Sequence, residues 1–485
     1  MTELNPALNL APPEFTSGPP PACKIHLLGI GGVAMTALAG LLTEAGYAVT
    51  GSDGPLYPPM SEVLAGLGLT VFSGYGPETL PPDSDLVVVG NVVTRDFPVL
   101  ARLRELGRPY LSLPQTLDRL HLNRTRNLVV AGSHGKTITT ALAAKIFDAA
   151  GLEPGFLIGG AGLDFPHSWR PPRGDWFIIE GDEYDSAFFD KRPKFVHYRP
   201  HTVILTSVEF DHADIYPDLA AVTKAFESLA GLIPAEGRLI AWGDSPLVRR
   251  VAARSRARTE FYGLNPDNDW RVSNLSLGSP GPKFEVSGPD GFFARLSLTR
   301  PGVYNALNAT AAAAALQGAG GDVRTLARAM SDFQGVRRRQ EVLGDFGGLT
   351  LVDDFAHHPT AVAATLTALK AAYGGRRLLA AFEPRSNTSR RAVFQKDYAA
   401  ALALADLVFL RRPPDPQKAP AGDRLDPDRL ALDLGGRARL FDDGLSLGAA
   451  LAEEARAGDV VVVMSNGGFD GLAGYLKNRF RGDFG

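Results

Sequence analysis

Cysteine is almost absent from this chain, which has 485 residues and a single cysteine, Cys23. One thiol excludes an internal disulfide framework and any metal site built from several cysteines, and it is typical of a reducing cytoplasm. Long hydrophobic runs are also missing, since no apolar stretch reaches the roughly 18 residues that a membrane-spanning helix requires. We therefore predict a cytoplasmic protein without membrane insertion.

Neither sign of charge dominates, because 50 basic and 53 acidic residues leave a formal net charge of -3 at pH 7. Without a global basic field, we expect no binding to nucleic acid or anionic lipid. Residues 1–22 contain no lysine or arginine and many prolines. This composition differs from that of a secretory signal, and it predicts a disordered leader.

About three domains are expected from the length, at roughly 150 residues per domain. Apolar, β-branched runs start at Lys24, Asn127 and Leu349, and each leads through a glycine-rich or polar turn into a helix-like segment. This rhythm predicts an α/β fold with parallel sheets and with ligands at the C-terminal ends of the strands. Short alternating runs around 262–300 predict a small antiparallel insertion. The expected domains cover residues 23–121, 122–336 and 337–485.

A dinucleotide-type fingerprint, Gly29-Ile-Gly-Gly-Val-Ala34, follows the first predicted strand in the form G-x-G-x-x-A. Asp53 ends the second strand about twenty positions later, where an NAD site has its ribose ligand. Small residues at a helix N-terminus let backbone amides approach any diphosphate, however, so NAD and a nucleotide sugar both remain possible ligands. The residues predicted to bind the diphosphate are Gly29, Gly31, Gly32, Val33 and Ala34.

A phosphate-loop pattern, Ala131-Gly-Ser-His-Gly-Lys-Thr137, lies between the strand that starts at Asn127 and a helix-like segment. Val130 replaces the first glycine of the pattern G-x-x-x-x-G-K-[ST]. Amides of such a loop surround phosphate oxygens, Lys136 can reach the β- and γ-phosphates, and the Thr137 hydroxyl can bind Mg²⁺. The residues predicted to bind ATP here are Gly132, Ser133, His134, Gly135, Lys136, Thr137 and Thr139.

Acidic clusters follow two later predicted strands. Glu180 ends one strand and leads into Gly181-Asp-Glu-Tyr-Asp185, and the other strand leads into Glu209-Phe-Asp-His212. Carboxylate and imidazole groups beside a phosphate loop suit Mg²⁺ and ATP. We therefore predict a Mg²⁺ site at Thr137, Glu180 and His212. Zinc is not expected, because one histidine with scattered carboxylates does not form a closed tetrahedral set.

Together these motifs resemble the Mur ligase family, ATP-dependent enzymes that build the peptidoglycan peptide on UDP-N-acetylmuramic acid. The glycine loop at 29–35 is similar to the family's UDP-binding loop, and 132–137 is similar to its phosphate loop. Asp353-Asp-Phe-Ala-His-His-Pro-Thr360 resembles the segment that opens its third domain. The resemblance implies a Rossmann-like UDP-binding domain, a central P-loop ATPase-like domain and a C-terminal Rossmann-like domain.

Four segments are similar to the branch of the family that joins the tripeptide L-alanyl-γ-D-glutamyl-diamino acid to UDP-N-acetylmuramate, the murein peptide ligases of peptidoglycan recycling. They cover residues 90–95, 188–192 together with 194–198, 209–214 and 383–388. The branch that adds free L-alanine tends to differ in these segments and is the alternative. An NAD oxidoreductase and a nucleotide-driven switch or motor are the rivals from other classes.

The resemblance also implies catalytic roles for Lys136, His212, Arg339 and His357. Arg339, at a domain boundary, would reach the γ-phosphate of ATP, and His357 would approach the reacting centre. The adjacent His358 would diverge from His357, and we interpret it as a packing residue at a helix start.

Three further groups of binding residues are implied. Asp354 would bind the ribose of ATP, and Asn305 and Asn308 would bind its adenine or phosphates, although Tyr304 replaces the family's histidine in G-x-H-N-x-x-N. The UDP-sugar site would add Asp53 and Asn91 to the glycine loop. A guanidinium group suits the carboxylates of an acidic peptide, and the peptide-binding residues would be Arg385, Ser386 and Asn387.

Overall fold

The computed structural model describes residues 4–10, 23–56, 59–213 and 215–484. Within them, the strands form three large sheets and one two-stranded ribbon. Helices pack on the sheets, which confirms the predicted α/β fold with three parallel-sheet units. In these ranges, we find no helix whose length and apolar character would let it cross a membrane.

The first unit is a five-stranded parallel sheet. Its helices are α1 (Pro6–Leu10), α2 (Val33–Glu44), α3 (Met60–Gly66), α4 (Val99–Leu106) and α5 (Leu113–Leu117), and its strands are β1 (Lys24–Leu28), β2 (Ala48–Asp53), β3 (Thr70–Ser73), β4 (Leu86–Val89) and β5 (Tyr110–Ser112). The strand order is β3-β2-β1-β4-β5. The order reverses between β1 and β4, and the C-terminal ends of such strands flank a ligand crevice.

The second unit is a ten-stranded sheet. Its helices are α6 (Lys136–Ala149), α7 (Leu219–Leu232), α8 (Pro246–Ala252), α9 (Val303–Gly318) and α10 (Leu326–Ser331), and its strands are β6 (Arg126–Ala131), β7 (Gly155–Leu157), β8 (Trp169–Arg170), β9 (Trp176–Gly181), β12 (Pro200–Leu205), β13 (Arg238–Trp242), β14 (Arg258–Gly263), β15 (Trp270–Ser276), β16 (Lys283–Ser287) and β17 (Phe293–Ser297). The order is β17-β16-β15-β14-β13-β12-β6-β9-β7-β8. The separate ribbon consists of β10 (Asp185–Ala187) and β11 (Asp190–Pro193).

The predicted antiparallel segment is present but is not a separate insertion. β15, β16 and β17 pair antiparallel with one another, as the alternating runs indicate. β15 also pairs in parallel with β14, so the three strands extend one edge of the central sheet. A local alternating pattern predicts a strand but does not specify which neighbour it pairs with.

The third unit is a six-stranded sheet. Its helices are α11 (Pro359–Ala372), α12 (Gln395–Leu402), α13 (Pro427–Asp433), α14 (Gly444–Glu454) and α15 (Leu472–Phe484), and its strands are β18 (Glu341–Phe346), β19 (Leu349–Asp354), β20 (Leu378–Phe382), β21 (Leu407–Arg411), β22 (Ala438–Phe441) and β23 (Val460–Met464). The order is β18-β19-β23-β20-β21-β22, and β18 is antiparallel to β19. The segment that follows β20 contacts the central unit, where Thr388 Oγ1 donates to Asp211 Oδ1 at 2.6 Å.

The prediction of a disordered leader is wrong for residues 4–10, which contain α1. Leu4 is buried in the apolar cluster of the first unit, and Asn9 Nδ2 donates to the Tyr110 carbonyl at 3.0 Å. A five-residue helix has no periodic pattern of its own, and its order comes from these tertiary contacts. Residues 1–3 and 11–22 of the leader lie outside the described ranges.

Helix α2 of the first unit packs tightly against β8 of the central sheet. Trp169 Nε1 donates to Glu44 Oε1 at 2.9 Å, and the indole ring covers Gly40. A Cβ atom added to Gly40 would lie 2.0 Å from Trp169 Cε2, far inside van der Waals contact. Gly40 therefore permits the close approach of the two units.

We predict that Gly40→Ala destabilises the protein by about 1–3 kcal/mol, because overpacking against the indole outweighs the gain in helix propensity. The matched control is Gly474→Ala in α15, where an added Cβ has no neighbouring atom within 4 Å. Thermal unfolding of both variants checks this prediction. Equal stability of the two variants would contradict it.

Candidate active site

The phosphate loop connects β6 to α6 at the C-terminal edge of the central sheet. Gly135 has φ +82°, in the left-handed region that favours glycine, and a Cβ there would lie 3.1 Å from Asn308 Oδ1. Glycine at this position lets α6 begin at Lys136 immediately after the turn. The loop amides lie at a helix N-terminus, which is a favourable environment for phosphate oxygens.

Residues that follow β12 hold the loop in place. The amide of Ser133 donates to the Ser207 carbonyl at 3.0 Å, and the amide of His134 donates to Ser207 Oγ at 3.0 Å. Ser133 Oγ accepts from the Glu209 amide at 2.8 Å. Because β6 and β12 are neighbours in the sheet, the segments after them meet and fix the loop conformation.

Lys136 forms a buried ion pair with Glu183. Its Nζ lies 3.0 Å from Glu183 Oε2 and donates to the Gly132 carbonyl at 2.7 Å. Burial alone would lower the pKa of this ammonium, but attraction to Glu183 and Asp182 outweighs burial and raises it. Lys136 is therefore charged at neutral pH, with Glu183 as the protein's own counterion.

Thr137 and Glu180 are in direct contact. Thr137 Oγ1 donates to Glu180 Oε2 at 3.1 Å, and the Gly159 amide donates to Glu180 Oε1 at 2.5 Å. Burial, followed by repulsion from Asp182, raises the pKa of the Glu180 carboxyl. Hard oxygen donors with an excess of buried negative charge fit a divalent cation such as Mg²⁺.

His212 contacts the other side of Glu183. Its Nε2 lies 3.2 Å from Glu183 Oε1, so Lys136, Glu183 and His212 form a continuous polar chain. The backbone of His212 has φ +54°, which costs roughly 1 kcal/mol for a residue with a Cβ. Its amide donates to Asp211 Oδ1 at 2.7 Å and to Thr388 Oγ1 at 3.1 Å, which stabilises this conformation.

Arg339 reaches the phosphate loop from the segment that leads into the third unit. Its Nη2 donates to Thr137 Oγ1 at 3.2 Å. Asp354 Oδ2 accepts from the Gln340 amide at 2.8 Å, and its Oδ1 accepts from the Ala356 amide at 2.6 Å. In this structure Asp354 therefore holds the backbone next to Arg339, and ribose binding stays a prediction.

The two predicted asparagines have different surroundings. Asn308 lies beside Gly135 of the phosphate loop. Asn305 Nδ2 donates to the Pro301 carbonyl at 2.7 Å, while its Oδ1 is buried and has no hydrogen-bond partner among the described residues. Tyr304 occupies the family's histidine position, and burial raises the pKa of its hydroxyl well above the usual value, against the opposing effect of Thr365 of α11.

His357 and His358 diverge. His357 Nδ1 bonds to the Phe355 carbonyl at 3.0 Å, and His358 Nε2 bonds to the Phe210 carbonyl at 3.1 Å. His358 Nδ1 accepts from the Thr360 amide at 3.3 Å and caps α11, which confirms its interpretation as a helix-start residue. Burial lowers the pKa of both imidazoles to about 4, so both are neutral at pH 7.

The predicted diphosphate loop lies on the first sheet, apart from the phosphate loop. Asp53 Oδ2 accepts from the Gly31 amide at 2.6 Å, and its Oδ1 accepts from Tyr75 Oη at 2.6 Å. Gly32 precedes the first residue of α2, Val33. Asn91 is exposed after β4, at the edge where β1 and β4 flank the crevice. Asp53 therefore fastens the glycine loop to β2.

The predicted peptide-binding residues follow β20. Arg385 is exposed and covers Gly467, where a Cβ would lie 2.5 Å from Arg385 Cδ. Asn387 is exposed in the same turn. Ser386 Oγ, in contrast, bonds to Ser389 Oγ at 2.9 Å within the turn. Arg385 and Asn387 are therefore exposed at the surface, and the Ser386 side chain is half-buried in the turn.

Sequence reasoning missed three residues of the central cluster. Glu183 was one of several carboxylates after β9, and only the fold shows that it contacts both Lys136 and His212. Thr388 Oγ1 donates to Asp211 Oδ1 at 2.6 Å across 177 residues of sequence. The acidic cluster was a usable signal for Glu183, but no local pattern indicates the pairing of Asp211 with Thr388.

Three family models match the chain. The Mur ligase family, catalytic domain, matches residues 24–125. The Mur ligase middle domain matches residues 130–316, and the Mur ligase, glutamate ligase domain, matches residues 338–467. These matches cover the glycine loop, the phosphate loop and the segment with His357.

Characterised relatives are similar over nearly the whole chain. The UDP-N-acetylmuramate–L-alanyl-γ-D-glutamyl-meso-2,6-diaminoheptandioate ligase of Escherichia coli K12 is 39% identical over 93% of this chain and 96% of its own length. The UDP-N-acetylmuramate–L-alanine ligase of Acidothermus cellulolyticus is 36% identical over 92% of both chains. The crystal structure of a murein peptide ligase from Psychrobacter arcticus 273-4 matches with a TM-score of 0.74 and 35% identity, over 95% of this chain and 99% of that one.

Asp353 precedes Asp354 at the end of β19, and its buried carboxyl group makes the stability of the protein depend on pH. Burial, together with the neighbouring carboxylates of Asp354 and Glu341, raises the pKa of Asp353 to about 6, against the opposing effect of Arg338. An unfolded aspartate has a pKa of about 3.9. The folded state therefore binds this proton more tightly, and its stabilising contribution is complete below pH 4 and is lost as the pH rises through 6.

We predict that Asp353→Asn removes this penalty and stabilises the protein by up to about 3 kcal/mol at pH 7–8 but not at pH 4. Arg338 keeps its bonds to the carbonyls of Ser465 and Gly467 in this variant. Melting temperatures measured across this pH range check the prediction, with the exposed Asp442→Asn as control. A gain that is the same at pH 4 and pH 8 would show that Asp353 does not titrate in this way.

Proposed function

The chain belongs to the Mur ligase family, and from this premise we propose that it is an ATP-dependent ligase of peptidoglycan recycling. It joins the tripeptide L-alanyl-γ-D-glutamyl-diamino acid to UDP-N-acetylmuramate. The observation that carries this assignment is the 39% identity to the Escherichia coli tripeptide ligase over 93% of the chain. The reaction takes place in the cytoplasm, the compartment of ATP and UDP-linked sugars.

A carboxylate does not condense with an amine at neutral pH, because oxide is a very poor leaving group. The γ-phosphoryl group of ATP is first transferred to the lactyl carboxylate of UDP-N-acetylmuramate, which gives an acyl phosphate and ADP. The free amine of the tripeptide then attacks the acyl carbon and loses a proton. The tetrahedral intermediate collapses to the amide and releases phosphate.

Each step concentrates negative charge, so catalysis depends on positioning and electrostatic stabilisation. When ATP binds, Lys136 leaves its ion pair with Glu183 and contacts the β- and γ-phosphates. Its ammonium group is already charged, so no proton has to be gained or lost. Arg339, already at Thr137 Oγ1, stabilises the transferred phosphoryl group. Thr137, Glu180 and His212 would hold Mg²⁺, which neutralises phosphate charge when bound.

Other residues bind the parts of the substrates that do not react. The glycine loop and Asn91 bind the UDP moiety, with Asp53 holding the loop. Asp354 binds the ribose of ATP, and Asn305 and Asn308 bind its adenine or phosphates. Arg385 and Asn387 bind carboxylates of the tripeptide. The domain of residues 23–121 thus binds the UDP-sugar, that of residues 122–336 binds ATP, and that of residues 337–485 binds the peptide. The three separate sheets support these boundaries.

The nearest alternative function is the addition of free L-alanine, because the chain is also 36% identical to an L-alanine ligase. The two functions differ in the amine that attacks the acyl phosphate. We predict that phosphate release with UDP-N-acetylmuramate and ATP is fast with tripeptide and at least about tenfold slower with L-alanine, a difference of about 1.4 kcal/mol in transition-state binding. Lys136→Ala is the inactive control. Faster turnover with L-alanine would overturn the tripeptide assignment, and tripeptides with different third residues identify the diamino acid.

Loss of the Arg385 guanidinium tests the peptide site. A charge-assisted hydrogen bond contributes about 1.5–3 kcal/mol, so Arg385→Ala is expected to raise KM for the tripeptide roughly 10- to 100-fold. KM for UDP-N-acetylmuramate is expected to stay unchanged. Arg412→Ala, a surface arginine paired with Asp428, is the matched control. An increase in KM for UDP-N-acetylmuramate alone would show that Arg385 binds the other substrate.

A further inference from the structure

Three side chains from separate segments meet beside the phosphate loop, outside the cluster predicted to bind Mg²⁺. They are His134 of the loop, Glu209 after β12, and His358 at the start of α11. One ligand atom from each lies within 4.8 Å of the others. Glu209 Oε2 is 3.5 Å from His134 Nε2 and 3.9 Å from His358 Nδ1.

The hydrogen bonds of His358 fix its tautomer. Its Nε2 faces the carbonyl oxygen of Phe210, which can only accept, so Nε2 carries the proton. The lone pair of Nδ1 accepts from the Thr360 amide at a long 3.3 Å, and Nδ1 lies 3.9 Å from Glu209 Oε2, so a bound ion would replace this long hydrogen bond. An imidazole whose other nitrogen donates to a carbonyl has the usual arrangement of a metal-binding histidine.

His134 and Glu209 provide the other two donors. His134 Nε2 is buried, and apart from its 3.5 Å approach to Glu209 Oε2 it has no hydrogen-bond partner within the described part of the chain. Glu209 Oε2 accepts from Thr360 Oγ1 at 2.6 Å, which orients the carboxylate. Two imidazoles and one carboxylate are a donor set of zinc sites that keep an open position.

The spacing is close to that of a bound ion. Zinc bonds of about 2.0–2.1 Å at a tetrahedral angle separate neighbouring ligand atoms by about 3.3 Å. The two separations from Glu209, 3.5 and 3.9 Å, need small side-chain movements to reach it, and the two histidine nitrogens, within 4.8 Å of each other, need a larger one of up to about 1.5 Å. A cavity of about 530 Å³, lined by Glu209, His358 and Thr360, opens beside the cluster and gives an ion access.

We propose that His134, Glu209 and His358 bind a transition-metal ion of the Zn²⁺ class, at a site separate from the predicted Mg²⁺ site. Imidazole-rich donors select Zn²⁺ over Mg²⁺, which prefers oxygen ligands. Two of the ligands belong to the central unit and one to the third. A bound ion therefore links the phosphate loop to the third unit and stabilises the contact between them.

The test uses the full chain after treatment with a chelator, in buffer with excess Mg²⁺ to occupy oxygen-rich sites. Calorimetric titration with ZnCl₂ is expected to show one Zn²⁺ bound per chain and a melting temperature that rises with Zn²⁺ concentration. Glu209→Gln and His358→Gln are expected to weaken binding by more than roughly 100-fold, and Thr360→Val by about tenfold, because loss of an outer partner alone costs 10- to 100-fold. Glu227→Gln, on α7, is the matched control.

Several outcomes would overturn the site. Absence of stoichiometric Zn²⁺ binding by the wild-type chain is one, and equal binding by the wild type and Glu209→Gln is another. Circular dichroism of the metal-free variants shows whether they fold. If they do not, the Co²⁺ spectrum of the wild type decides, since an intense tetrahedral visible band supports the site. A weak octahedral spectrum, or a thiolate charge-transfer band from Cys23, contradicts it.

Discussion

The buried ammonium of Lys136 is the charge on which the central site depends. Its side chain is 12% exposed and that of Glu183 is 2% exposed. An unpaired charge at this depth costs several kcal/mol, so a carboxylate must reach it. The sheet brings one there, because β9 lies beside β6 in a register that pairs Gly181 with Ala131. Residues that follow the two strands then meet at one edge.

The third unit contacts this same edge through a short connecting segment. Arg338 and Gln340 have φ +58° and +49°, and between them Arg339 extends to Thr137. Arg338 points the other way and donates to carbonyls at the end of β23. The consecutive arginines Arg338 and Arg339 thus hold the two units together, and Thr388 adds a further contact at Asp211. The hydrogen bonds of Arg338 to the third unit and of Arg339 to the central unit offset the backbone strain at Arg338 and Gln340.

Short sequence motifs made much of the fold and of the candidate site predictable. Apolar runs that end in Gly-Lys-Thr or in an acidic cluster predict strands, a phosphate loop and cation ligands, because each pattern acts within a few residues. Contacts that depend on strand order and domain packing were not predictable, as the pairing of Asp211 with Thr388 illustrates. Helix α1 was not predicted because residues 4–10 have no helical periodicity in their sequence. Tertiary contacts with the first unit keep them ordered.

The net charge of -3 is compatible with anionic substrates because binding depends on individual basic side chains. These side chains differ in whether a carboxylate of the protein already neutralises them. Glu383, two residues before Arg385, is fully buried and is bound by Ser465 and Arg411. It therefore does not neutralise Arg385, which makes no hydrogen bond or ion pair to another described residue and remains exposed. Lys136, in contrast, has a buried counterion of its own. Under the proposed assignments, phosphate would displace Glu183 to reach Lys136, whereas a peptide carboxylate would meet an exposed, unpaired guanidinium at Arg385.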